Sequence, residues 1–208
     1  MERKNKTVLL IMGSTRAGRK CPQITAWVAS LGGRACPDLA CETIDLAQWN
    51  LPMDDEPGIP ALGRYAQAHT VAWSEKIKAA QAVVFVTPQF NWGYPAVLKN
   101  AIDHLYGEWR DKPAAIVTYG GHGGTRCARQ LRRVAAALRM RVAATTPNLE
   151  LSDAVIREGT ALDPERDFRA FAAKVESAFV ELSALIDGRD GVLSRLRRKW
   201  KAWRACIS

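Results

Sequence analysis

The sequence predicts an α/β fold, an open parallel sheet covered by helices on both faces. Two observations carry that prediction. The runs 7–13 ("TVLLIMG"), 82–88 ("AVVFVTP") and 113–121 ("PAAIVTYGG") are apolar almost throughout, as strands buried on both faces are. Between them lie segments with apolar residues at helical spacing, so strand and helix alternate five times along the chain. Right-handed crossovers reduce such an alternation to a doubly wound sheet. At 208 residues and 48% hydrophobic, the chain suits one domain with a sizeable core.

In order, 7–13 is the first strand, and 21–31 is a helix with Pro22 in its first turn. The alternating "CETIDL", 41–46, is the second strand. Residues 47–60 carry Pro52, Pro57 and Pro60 and form a loop, and 61–80 form a helix. The third strand, 82–88, leads through an aromatic loop into a helix over 95–109. The fourth strand, 113–121, precedes a helix over 125–140. A fifth strand lies within 141–151, and a long helix over 164–187 closes the body. The expected strand order is 2-1-3-4-5, with a switch point between the first and third strands.

Open parallel sheets bind ligands beyond the carboxyl ends of their strands, at that switch point. Three strands end in unusual loops. The first loop, "GSTRAGR" (13–19), offers hydroxyls from Ser14 and Thr15, backbone N–H groups, a helix N-terminus and the guanidinium groups of Arg16 and Arg19. That composition suits a terminal monophosphate. Thr15 breaks the dinucleotide fingerprint, and no Gly-Lys-Ser/Thr completes a Walker loop. An ordinary polar turn is the alternative. The second loop, "TPQFNWGYP" (87–95), puts Phe90, Trp92 and Tyr94 where loops face solvent. A flat ligand would cover them, and so would a subunit interface. The third, "YGGHGGTR" (119–126), lets backbone approach a ligand closely or serves as a flexible connector. Side by side, the three fit one molecule with a monophosphate at one end and a planar heterocycle at the other, as in FMN.

Together, "GSTRAGR", "TPQFNWGYPAVLKNAIDHLY" and "YGGHGGTR" resemble the NAD(P)H-dependent FMN reductase family of flavodoxin-like fold, which includes quinone, azo-dye and chromate reductases. The resemblance spans roughly residues 6 to 150. It implies that Ser14, Arg16 and Arg19 hold the FMN phosphate. It implies that Pro88, Gln89, Phe90, Asn91 and Trp92 line the flavin, with Gly120, Gly121, His122 and Gly123 approaching from the other loop. It further implies a homodimer or homotetramer. Gln89 stands where many relatives have Glu, and the sequence after residue 188 has no counterpart. In such an enzyme NADPH or NADH gives hydride to FMN N5, and a quinone, azo compound, metal ion or flavin then takes two electrons, in ping-pong order. No catalytic side chain is named: His122 suits the flavin edge or solvent, and Lys99 and His104 suit a surface or interface.

Two rivals differ in class. A flavodoxin-like electron carrier would bind FMN without oxidising NAD(P)H, but such carriers present acidic surface. A Rossmann dehydrogenase would need a fingerprint that Thr15 interrupts, and Asp45 lies too far downstream to serve as its ribose-binding acid.

The net charge is +9, of which residues 189–208 carry +6. The body's charge therefore points to no nucleic-acid partner. The expected domain is 1–188, followed by a basic amphipathic tail. In it Leu193, Leu196, Trp200, Trp203 and Ile207 form an apolar stripe, for docking on the protein itself, for an anionic membrane or for an acidic partner. The short apolar run after the basic start does not make a signal peptide, so a cytosolic protein with reduced thiols is expected. The five cysteines lack paired C-x-x-C spacing, and no metal site is expected.

Overall fold

The computed structural model describes residues 6–189; the amphipathic tail expected from the sequence lies outside the described residues but for Arg189. The elements are β1 (Lys6–Met12), α1 (Cys21–Ala35), β2 (Leu39–Asp45), α2 (Ala68–Ala79), β3 (Ala82–Pro88), α3 (Ala96–Asp103), β4 (Pro113–Gly120), α4 (Thr125–Ala137), β5 (Arg141–Val142), β6 (Asn148–Glu150), α5 (Asp153–Arg157), α6 (Pro164–Asp167) and α7 (Ala172–Ile186). The strands are parallel in the order β2-β1-β3-β4-β5, and β6 also pairs with β4. This is the doubly wound, flavodoxin-like topology the sequence predicts.

The unbroken apolar runs have a simple cause. Successive side chains of a strand point to opposite faces, and here each face is a core. Val8, Leu10, Met12, Val84, Val86, Ala115 and Val117 pack with α1 and α7. Leu9, Ile11, Val83, Phe85, Ala114 and Ile116 pack with α2, α3 and α4. The α1–α7 contact is close at Gly32, where a Cβ would stand 2.3 Å from the ring of Phe179.

Four elements differ from the sequence expectation. The helix expected over 61–80 begins only at Ala68: a short 3-10 turn, Pro60–Leu62, ends at left-handed Gly63. The Glu56 carboxylate then accepts the N–H groups of Ala66 and Gln67 and sets the helix start. The helix expected over 95–109 stops at Asp103. Its apolar spacing persists because Trp109, in a separate 3-10 turn, is fully buried and donates Nε1–H to the Ile102 carbonyl. The closing helix is broken around Phe168, which is pulled into the core against Trp27, with ring centroids 5.5 Å apart. The fifth strand is split into β5 and β6, both on the edge of β4. Pro147, which has no N–H to donate, lies in the gap, and its carbonyl accepts from Thr118 N.

Candidate functional site

β1, β3 and β4 are neighbours in the sheet, so the loops that follow them emerge side by side. Gly13 opens the first loop. Its N–H donates to the Val86 carbonyl at 2.8 Å, and a Cβ there would lie 2.7 Å from Thr87 Oγ1. Only glycine lets β1 pass this close to β3. Ser14 is buried, whereas Thr15 and Arg16 are exposed. Arg19 folds inward: a terminal nitrogen donates to Asp45 Oδ2 at 2.6 Å, and its buried Nε has no partner among the described residues. Asp45, at the end of β2, thus anchors the loop and also accepts from Ala47 N.

In the second loop, Phe90 and Gly93 exchange two backbone hydrogen bonds of 2.9 Å each. Asn91 (φ 47°) and Trp92 (φ 71°) between them are both left-handed, the signature of a type I′ turn. Asn tolerates that conformation; Trp does so at a cost of about 1–3 kcal/mol. The turn leaves Trp92 61% exposed. Pro88 is buried on β3, and Gln89 and Phe90 are half-buried.

Two contacts tie the loops together. The Arg16 guanidinium lies over the Phe90 ring at 4.0 Å, joining the first loop to the second. Gln89 Oε1 accepts from the N–H groups of Arg126 and Cys127, at 3.2 and 3.1 Å, joining the second to the helix after the third. Gln89 thereby satisfies two donors in the first turn of α4 that have no partner within the helix. A neutral amide serves here where a carboxylate would add an interaction with the helix dipole.

The third loop divides its glycines. Gly121 and His122 are exposed. Gly123 (φ 65°) and Gly124 (φ 75°) turn inward, where a Cβ would stand 2.9 Å from Asn148 and from Thr118 respectively. The tightness at Gly123 is therefore against the protein's own β6. Thr118 Oγ1 completes the link, donating to the Gly123 carbonyl and accepting from Asn148 Nδ2.

Sequence reasoning missed four contributors. Arg126 lies over the Trp92 ring at 3.3 Å. Asp45 holds Arg19, and Asn148 buttresses the glycine loop. Ile156, half exposed, sits 3.4 Å from the Cβ position of Gly121. Only the Arg126 position had a local signal, as the end of the "YGGHGGTR" run. His104 is a correction: expected at a surface or interface, it is 6% exposed and buried beneath the loop after β2. Lys99 is exposed as expected and pairs with Asp103. Burial raises the thiols of Cys21 and Cys127, the latter to about 12, so both stay protonated at neutral pH.

A hydroxyl- and arginine-bearing loop beside an aromatic loop, at the switch point of a parallel sheet of order β2-β1-β3-β4-β5, places the chain in the flavodoxin-like fold class. The comparisons narrow it. Residues 7–152 match the family described as NADPH-dependent FMN reductase. The NAD(P)H-dependent FMN reductase C4B3.06c of Schizosaccharomyces pombe is 50% identical over 182 residues, covering 86% of this chain and 90% of that protein. The NAD(P)H-dependent FMN reductase LOT6 of Saccharomyces cerevisiae is 48% identical over 143 residues, covering 64% and 75%. FerB, a flavoenzyme NAD(P)H:(acceptor) oxidoreductase from Paracoccus denitrificans, shares the fold with a TM-score of 0.64 at 21% identity, covering 86% of this chain and 97% of FerB. The chain belongs to the NADPH-dependent FMN reductase family, an oxidoreductase family that uses FMN and NAD(P)H.

The residues present fit FMN. Arg19 Nε is a buried donor without an acceptor among the described residues, set in the loop that carries buried Ser14 and the Arg16 guanidinium. A phosphate oxygen is an acceptor that would satisfy such a group.

Proposed function

We propose that this chain oxidises NAD(P)H and delivers two electrons, by a ping-pong mechanism, to a small acceptor of the quinone type, with azo compounds, metal ions and free flavin as further candidates. The observation that carries the reading is the linkage of three loops at adjacent strand ends, with a buried arginine donor among them that has no partner among the described residues. An Escherichia coli quinone reductase, 34% identical over 140 residues, supports the acceptor class.

Ser14, Arg16 and Arg19 hold the phosphate, with Arg19 oriented by Asp45. Pro88, Gln89, Phe90, Asn91 and Trp92 border the ring system on one side, and Gly120, Gly121, His122 and Gly123 on the other. Bound FMN supplies the hydride chemistry; the protein supplies position and electrostatics. The Gln89 tie to α4 keeps the two ring-lining loops at a constant separation. Trp92 offers an exposed aromatic surface beside the site. Arg126, Arg129 and Arg133 share the exposed face of α4 that starts there. That basic face favours NADPH, whose additional phosphate it attracts. Met53, Ile59 and Leu62, each more than 60% exposed, supply apolar surface for a homodimer or homotetramer.

Steady-state NADPH oxidation at several fixed quinone concentrations tests the mechanism. Parallel double-reciprocal lines are expected. Intersecting lines exclude ping-pong, and absence of turnover by FMN-loaded protein leaves an electron carrier instead.

A further inference from the structure

Asp55, His69 and His104 form a cluster that the proposed reaction does not use. They come from the loop after β2, the first turn of α2 and the residue following α3. One possible ligand atom from each lies within 4.8 Å of the others. Asp55 Oδ2 is 3.1 Å from His69 Nε2. That matches the edge of a tetrahedron with metal–ligand bonds of about 2.0 Å, which is roughly 3.3 Å.

His104 is oriented for ligation. Its Nε2 lies 3.0 Å from the Pro52 carbonyl, and a carbonyl only accepts, so Nε2 carries the proton. In the neutral ring the lone pair is then on Nδ1, which lies 3.0 Å from the Thr70 hydroxyl. Metal-binding histidines are characteristically held this way, the second ring N–H on a carbonyl. Ligation through Nδ1 takes a χ1 rotation of the buried Thr70 side chain that carries Oγ1 out of the lone-pair direction.

The loop bearing Asp55 is itself pinned. Gln67 Nε2 donates to the Asp55 carbonyl at 3.0 Å, Asn100 Nδ2 donates to the Leu51 carbonyl at 2.7 Å, and left-handed Asp54 (φ 56°) turns the chain just before Asp55. The side chains of Asp55 and His69 remain about a quarter exposed, which leaves an entry path.

We propose that Asp55, His69 and His104 bind one divalent transition-metal ion, with Zn²⁺ the expected occupant. Two imidazole nitrogens and one carboxylate oxygen suit zinc rather than Mg²⁺ or Ca²⁺, which take oxygen sets. Three protein ligands leave a fourth position for water. A bound ion clamps the loop after β2 onto α2 and α3.

Full-length, tag-free, FMN-loaded protein, stripped by a chelator, is titrated with Zn²⁺ by calorimetry, and retained zinc is counted after dialysis. One equivalent is expected, with a rise in Tm. Because loss of an outer-shell partner alone weakens metal affinity by about 10–100-fold, Asp55→Asn and His69→Gln should each weaken zinc binding by about 100-fold or more. Both variants should keep their FMN content and NADPH oxidation. His104→Gln should abolish binding, and the two more exposed positions decide the matter if that variant does not fold. No saturable uptake in wild type overturns the proposal, leaving the cluster a hydrogen-bonded pin. Undiminished affinity in Asp55→Asn and His69→Gln also overturns it and places the metal elsewhere.

Discussion

Arg19→Ala removes, from the loop proposed to hold the phosphate, a buried side-chain donor that lacks an acceptor among the described residues. In the folded protein a terminal nitrogen of Arg19 is committed to Asp45 at 2.6 Å, while Nε has no partner among the described residues and is assigned to the phosphate in the reading proposed above. A hydrogen bond to a charged group contributes about 1.5–3 kcal/mol, or roughly 10–150-fold in Kd. Arg16 is exposed and stacked over Phe90, where water screens its charge, so Arg16→Ala should lose less. Arg19→Lys retains the charge without the Nε donor and should fall between wild type and Arg19→Ala. Flavin fluorescence quenching gives each Kd, and thermal melts of the apoproteins verify that each variant folds. If Arg19→Ala binds FMN as tightly as wild type, or if Arg16→Ala loses more, the assignment of Nε to the phosphate is wrong.

Gly32→Ala drives a Cβ into the Phe179 ring. Overpacking costs about 1–3 kcal/mol, more than the roughly 1 kcal/mol of helix propensity gained. At roughly 2–4 °C per kcal/mol, calorimetry should show a clearly lower Tm, and an unchanged Tm would mean that the α1–α7 contact yields easily. Trp92→Gly relieves a left-handed tryptophan of about 1–3 kcal/mol of strain and forfeits its contact with Arg126, so Tm should hold or rise. KM for NADPH should increase several-fold; an unchanged KM would remove Trp92 from the nucleotide face. Burial acts to raise the Glu108 carboxyl, but hydrogen bonds from Ser74, its own backbone N–H, Tyr65 and Lys78 outweigh it and hold the carboxyl below its ordinary value. The stability it contributes is therefore full above about pH 4.5 and lost as pH falls through the lowered value. Glu108→Gln should flatten that part of the acid-denaturation profile, and identical profiles would count against the network.

The sheet was legible because β1, β3 and β4 are buried on both faces, and such continuous apolar runs alternating with helical segments point to a parallel, doubly covered sheet. The three loops were legible because each follows its strand directly in the chain, and their residue types are unusual for turns. Helix ends were not. Trp109 and Phe168 keep helical spacing while their backbones leave the helix, because burial constrains where a side chain goes and not how the chain reaches it.

Within the candidate site, local order along the chain offered Ser14, Arg16, Arg19 and the stretch 88–92 as candidates. It could not declare that Asp45 holds Arg19, that Gln89 caps α4, or that Gly123 packs against Asn148. Each of these joins residues more than twenty positions apart, and a hydrogen bond of 3 Å leaves no periodic trace in the chain that makes it. The same holds for Asp55, His69 and His104, whose separations match no ligand spacing. The sequence by itself determined the four long strands, their order and the loops at their ends, since those follow from burial and chain direction. The tertiary structure alone decided which donors remain free and which side chains converge, since those depend on distances set by packing.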